Sequence, residues 1–130
     1  MNVHQARRAS SPRRTTRFVS WSLRILAASA FLAAGGAKLA GVPMMVAIFD
    51  HIGIGQWFRF VTGVTEIVGG VAILIPVSAL FGALLLSATM AVAVLVHLFV
   101  IGGSPAPAIA LLLVTATVAW LHRPGVTAGR

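Results

Sequence analysis

The chain contains no cysteine, no tyrosine and only two acidic residues among its 130. Without cysteine it can form no disulfide, offer no thiolate to a metal and use no thiol nucleophile of its own. Charge of either sign is scarce: 9% of residues are charged, against roughly a quarter in an ordinary soluble domain. That is too little to give a globule a polar skin. Hydrophobic residues make up 58% of the chain and the mean hydropathy is +0.98, so most of the sequence is expected to have lipid as its solvent. The length suits one domain with no separate soluble module. Absent cysteine says little about compartment, because membrane helices hold together without disulfides.

The formal net charge is +8, and its placement decides what it means. Arg7, Arg8, Arg13, Arg14 and Arg17 precede the first apolar run and Arg24 lies just inside it. A basic segment abutting a hydrophobic one reads as a juxtamembrane anchor on anionic lipid and a topology signal. No nucleic-acid partner is expected. Residues 1–16, with Ser10, Ser11 and Pro12, are expected to form a disordered basic tail. Arg13-Arg14 before an apolar stretch resembles an export signal, but nothing downstream looks like a soluble mature protein, so the first helix reads as a retained signal anchor.

Apolar runs at residues 18–39, 56–75, 78–101 and 105–122 are each near the roughly 20 residues that a bilayer core requires. The expected fold is therefore an all-α membrane protein, a four-transmembrane-helix bundle over residues 17–123 with a short tail at 124–130. Residues 44–49 are too short to span and read as an interfacial or re-entrant half-helix between the first two spans, with Asp50 and His51 in the loop after it. Only Pro76-Val77 separates the second and third spans, which predicts a tight antiparallel hairpin. Gly102-Gly103 ends the third span, and Ser104-Pro105 is expected to start the fourth as N-cap and first-turn proline. Small residues Ala79, Ala83, Ser87 and Ala91 recur at every fourth position of the third span, and Gly63, Gly69 and Gly70 punctuate the second; both suit close helix contact.

Arginines before the first span, with Arg123 and Arg130 after the last, place both termini on the cytoplasmic side of the cell membrane by the positive-inside rule. Trp21 and Trp120 then fall near the inner interface and Trp57 near the outer one. On this layout Lys38, Asp50, His51, Arg59, Glu66 and His97 all lie in the outer half, while the inner half carries Arg24, expected to snorkel.

Any chemistry must come from these few groups. Glu66 sits about midway along the second span, where an ionised side chain costs about 3 kcal/mol on insertion scales and faces the bundle interior. Helical spacing aligns Arg59, Thr62, Glu66 and Gly69 or Gly70 on one stripe. Each residue also has a plainer reading. Glu66 can be a structural acid paired with Arg59, Lys38 or His97. Lys38 alone is ordinarily a snorkelling end residue, His97 alone a packing histidine, and Asp50-His51 a solvated loop. No pair of histidines has metal-binding spacing, so no metal site is expected.

The stretches from Phe31 through Gly35-Gly36-Ala37-Lys38 to Gly41 and from Phe49-Asp50-His51 to Gly55 resemble the DoxX family of small four-helix membrane proteins. So do Gly63-Val64-Thr65-Glu66 running on to Gly70, and the third-span segment ending at His97. The resemblance covers about residues 20–122. It implies a four-helix bundle in the cytoplasmic membrane, with Lys38, Glu66 and His97 as polar core residues. Some relatives are membrane subunits of thiosulfate–quinone oxidoreductases and others belong to redox-stress complexes, so sulfur chemistry, if any, falls to a substrate or partner redox protein.

Three readings follow. The first is a membrane subunit or accessory of a quinone-linked redox system, with Glu66, His97 and Lys38 as candidate catalytic residues and Glu66, His97 and Arg59 around a quinone. The second is a proton-coupled small transporter; small multidrug pumps also embed one Glu, but in the first helix, and this chain lacks their aromatic lining. The third is a non-catalytic anchor or assembly protein. Self-association into an oligomer stays open.

Overall fold

The computed structural model describes residues 3–124, with side chains from residue 13 onward. Among the described residues all regular structure is helical. Helix α1 (Val3–Ala40) is followed by α2 (Pro43–Ile52), α3 (Trp57–Leu74), a single 3-10 turn at Pro76–Ser78, and α4 (Ala79–Val96). Helix α4 runs on into a wider π-helical turn at His97–Ile101, and α5 (Ala106–Leu121) completes the chain. Of the tail expected at residues 1–16, the first residues lie outside the described ones, and the part with described side chains continues α1; residues 125–130 also lie outside.

Local sequence accounts for the breaks. Ile75 is extended (φ −95°, ψ 119°), as the residue before Pro76 must be to avoid the proline ring. The 3-10 turn then reverses the chain directly into α4. Gly102 and Gly103 have φ of 71° and 75°, a left-handed conformation that side-chain-bearing residues resist, and α4 ends there. The start of α5 differs from expectation by a residue or two: Pro105 holds the N-cap position, and the Ser104 hydroxyl accepts from the Ala106 N–H at 3.2 Å.

The four longer helices pack in a ring, α1 on α3, α3 on α4, α4 on α5 and α5 back on α1. The core gathers Ala27, Ala28, Phe31, Ile73, Leu86 and Val118. Close crossings depend on missing side chains. A Cβ on Gly82 would stand 2.6 Å from the Ile73 nitrogen and 2.9 Å from the Gly69 carbonyl, and one on Gly35 2.8 Å from the Gly63 carbonyl. The glycines of α3 thus serve both neighbours, whereas the expected Ala79–Ala91 ridge on α4 is only half used. Ala79 and Ala83 are buried, Ala91 is exposed, and Leu86 and Met90 continue the inner stripe instead. Ser87 adds one hydrogen bond across to Thr115, at 2.9 Å.

Polarity is inverted relative to a soluble bundle. Arg24, Arg59, Glu66 and Thr115 are buried, while Phe18, Leu26, Val64, Phe81, Leu95 and Leu113 are 50% exposed or more. An outer surface of large apolar side chains around an inner set of charges is the arrangement lipid selects. The chain is a membrane protein. By length and composition, Arg13–Ala40, Trp57–Leu74 and Pro76–Ile101 can cross a bilayer. Helix α5 is apolar but has 16 residues, about 24 Å at the usual rise.

Arg24 does not snorkel as expected. It is 3% exposed, turned into the bundle, and its Nε donates to the Ile73 carbonyl at 2.6 Å. That carbonyl is in the last turn of α3, where backbone acceptors lack helical partners and a positive charge meets the negative end of the helix dipole.

Candidate functional site

The site forms where α3 and α4 diverge. Held together at Gly69, Gly82 and Leu86, they separate toward the end of the bundle that carries Lys38 and His97. Helix α2 lies over the gap. Pro43 starts it in the first turn and Gly53, at φ 86°, stops it with an N–H bond to the Phe49 carbonyl. Asp50 and His51 therefore lie in its last turn, not in a loop as the sequence suggested. Phe49, 5% exposed, meets Phe58 of α3 edge-on at 5.6 Å between ring centroids, and this contact pins α2 down.

Beneath α2 is a cavity of about 250 Å³. Its apolar wall comes from Met45, Ile48 and Ile52 of α2, Phe58 of α3, and Met90 and Val96 of α4, among others. Lys38, Glu66 and His97 all line it, together with the hydroxyl-bearing Thr62, Thr65 and Thr89. Wall residues Val61 and Val92 are also 51% and 49% exposed on the outer surface, so the cavity opens sideways between α3 and α4 toward lipid.

The charged groups in it are paired. Lys38 Nζ donates to both carboxylate oxygens of Glu66, each at 3.1 Å, with the two side chains 12% and 2% exposed. The three threonines each donate to the carbonyl one turn back, at 2.7 to 2.8 Å, which leaves their oxygen lone pairs as acceptors. His97, at the start of the π-helical turn, places Nδ1 2.8 Å from the Ala93 carbonyl. Since a carbonyl only accepts, Nδ1 is the donor in this contact, and Nε2 is the nitrogen left to face other partners. His97 shares the cavity with Glu66 but does not hydrogen-bond to it.

Arg59 is elsewhere. It is 7% exposed yet does not line the cavity. Its Nη1 donates to the Lys38 carbonyl at the end of α1, and its Nε donates to Gln56 Oε1 at 2.6 Å. Gln56 in turn donates through Nε2 to Asp50 at 2.7 Å and to the Val46 carbonyl at 3.0 Å. A side-chain relay thus runs from exposed Asp50 through Gln56 and Arg59 to the backbone of Lys38, whose ammonium holds Glu66. It ties α1, α2 and α3 together above the cavity.

A family model described as the DoxX-like family matches residues 22–122. The chain belongs to the DoxX-like family. No curated protein and no solved structure matches this DoxX-like chain. The matched segment begins in α1 after the basic segment and ends just past α5, so every element around the cavity falls inside it.

Of the residues singled out in this DoxX-like sequence, the structure brings Lys38, Glu66 and His97 to one cavity and sets Arg59 apart. Sequence reasoning placed Thr62 beside Glu66 but missed the α2 contribution, Met45, Ile48, Phe49 and Ile52, and the acceptors Thr65 and Thr89. Only the i, i+3/i+4 spacing of Met45, Ile48, Phe49 and Ile52 signalled an apolar face on α2. Gln56 carried no signal, because its role arises from the turn that carries it back against α2.

Proposed function

We propose that this protein is a four-span component of the cytoplasmic membrane, with both termini in the cytoplasm, that seats a quinone head in the Lys38–Glu66–His97 cavity for a partner redox protein. The fourth crossing by α5 is supported by its packing along α4 and against α1 and by the Ser87–Thr115 bond; a helix a few ångströms short is accommodated by local thinning of the bilayer. On this topology the cavity belongs to the outer leaflet half.

The observation that carries the reading is the composition of the cavity. A cavity of about 150 Å³ holds a single benzene ring, and the 250 Å³ here suits a substituted one. Apolar walls from α2, α3 and α4 would hold the ring faces, and the gap at Val61 and Val92 would let a lipid-soluble tail pass. A quinone, when bound, takes up electrons and protons together. Around it the Lys38 Nζ ammonium would donate protons to the head and regain them by way of Glu66, and the threonine oxygens would accept from the hydroxyl groups of the reduced head, with His97 Nε2 at the same wall. Electrons come from the partner redox protein, since the chain carries no thiol.

The test is quinone retention after purification in mild detergent, with quinol-linked turnover in membranes. Retained quinone that falls severalfold in Glu66→Gln and His97→Leu supports the reading. No quinone in the wild type and unchanged turnover in Glu66→Gln overturn it. A second reading, an anchor or assembly protein, is favoured by the two-pronged Lys38–Glu66 pair, which is complete without a ligand. Loss of fold in Glu66→Ala with quinone absent from the wild type would select it. Substrate-driven proton flux in vesicles would select a transporter instead.

A further inference from the structure

The other end of the bundle holds a second hollow, of about 490 Å³, where the entry to α1's apolar part meets the α3–α4 turn and the end of α5. Arg13, Arg17 and Arg24 line it, with Ser20, Trp21, Pro76 and His122 completing the wall. Arg24 forms its built part. At 3% exposure, its guanidinium stacks 3.8 Å from the Trp21 ring centroid while Nε is fixed on the Ile73 carbonyl. Among the described residues, Arg24 Nη2 is the buried side-chain polar atom without a hydrogen-bond partner.

A guanidinium keeps its charge in proteins and presents a rigid fork of donors, and a buried open donor beside a charge calls for an acceptor. The chain cannot supply a side-chain carboxylate here. Its two acids are Asp50 and Glu66, both toward the opposite end, with Glu66 held by Lys38. Among the described residues no carboxylate lies at this end, so the open Nη2 donor is available to an acceptor from outside the chain. Arginines around a hollow match the oxygens of a phosphate, and Phe18, which follows Arg17 of the hollow in sequence, is 74% exposed.

We propose that this hollow binds a phosphate group, with Arg24 at its base, Arg17 at its rim and Trp21 holding the guanidinium plane. The phosphate of an anionic lipid headgroup and free phosphate share this chemistry, and the experiment separates them. Full-length protein is stripped of lipid in detergent and offered phosphatidylglycerol, phosphatidylcholine or inorganic phosphate, with lipid adducts read by native mass spectrometry and phosphate binding by thermal shift at matched ionic strength.

Preferential retention of phosphatidylglycerol over phosphatidylcholine, by about tenfold, assigns the site to a lipid. A phosphate-dependent shift without lipid preference assigns it to the free anion. In either case Arg24→Gln abolishes the effect, Arg17→Gln weakens it severalfold and Asp50→Asn leaves it intact. Arg17 is exposed, so its variant keeps the test valid if Arg24→Gln does not fold. Neither lipid preference nor phosphate shift in the wild type, or unchanged binding in Arg17→Gln and Arg24→Gln, overturns the proposal.

Discussion

Removing one partner of the Lys38–Glu66 pair should cost far more stability than removing both. Nζ is 3.1 Å from each carboxylate oxygen, and the acid is 2% exposed against 12% for the lysine. At an effective dielectric of 20, charges at this separation attract by about 5 kcal/mol, most of it offset by the desolvation of both groups. Breaking a buried pair from one side typically costs about 3–5 kcal/mol, whereas replacing both partners is often close to neutral. Lys38 lies at the end of α1 and can swing toward the interface, so Glu66→Gln should fall near the lower bound, about 3 kcal/mol. Lys38→Met strands the carboxylate near mid-span and should lie higher, about 4–5 kcal/mol. The double variant Lys38→Met/Glu66→Gln should recover at least about 2 kcal/mol relative to the sum. Reversible unfolding in mixed micelles, read by circular dichroism against the fraction of denaturing detergent, supplies all four corners of the cycle. Costs that add within about 0.5 kcal/mol would refute the pair as a fixed element of the cavity wall.

Other consequences can be checked in the same assay. Gly82→Ala pushes a methyl into the α3 backbone, 2.6 Å from the Ile73 nitrogen, and should cost about 1–3 kcal/mol; Gly36→Ala meets nothing within 4 Å and should be neutral or stabilising by up to about 1 kcal/mol. Ser87→Ala removes the bond to Thr115 and should cost about 0.6 kcal/mol, the average for hydrogen bonds between membrane helices. Arg59→Gln, which cuts the relay at the Lys38 carbonyl, should cost about 1.5–3 kcal/mol and speed amide exchange at the α1–α2 junction; unchanged exchange there would contradict the relay. Ala93→Phe places a ring in the cavity and should abolish quinone retention, the fold being monitored by circular dichroism.

The helices were legible because lipid imposes long apolar runs and because Pro76, Gly102 and Gly103 interrupt them at the right places. Glu66 was legible for the same reason, since a lone acid in such a run must turn inward. Its partner was not. Lys38, Arg59 and His97 were equal candidates by depth, and the choice depended on the α1–α3 crossing set by Gly35 and Gly63. Helical spacing places Arg59 on the stripe of Glu66 but does not reveal that the Lys38 carbonyl and Gln56 take up its donors and set it apart from the cavity. Arg24 was misread more simply. An arginine near a helix end ordinarily snorkels, but the unpartnered carbonyl at the end of α3 offered a closer acceptor. The apolar spacing on α2 showed that it has a face to bury but not that it folds over the α3–α4 gap, because that depends on how the turn at residues 53–56 brings Phe49 against Phe58.

Photoaffinity labelling with a ring-substituted azidoquinone tests the quinone seat most directly. Applied to the intact protein in mild detergent and mapped by peptide mass spectrometry, it should give saturable adducts on α2 around Met45 and Ile48 and on α4 around Met90 and Ala93. Unlabelled quinone should compete, and Glu66→Gln should reduce the yield severalfold. Labelling that never saturates, or that scatters over lipid-facing positions such as Phe99 and Leu113, would contradict a quinone site in this cavity.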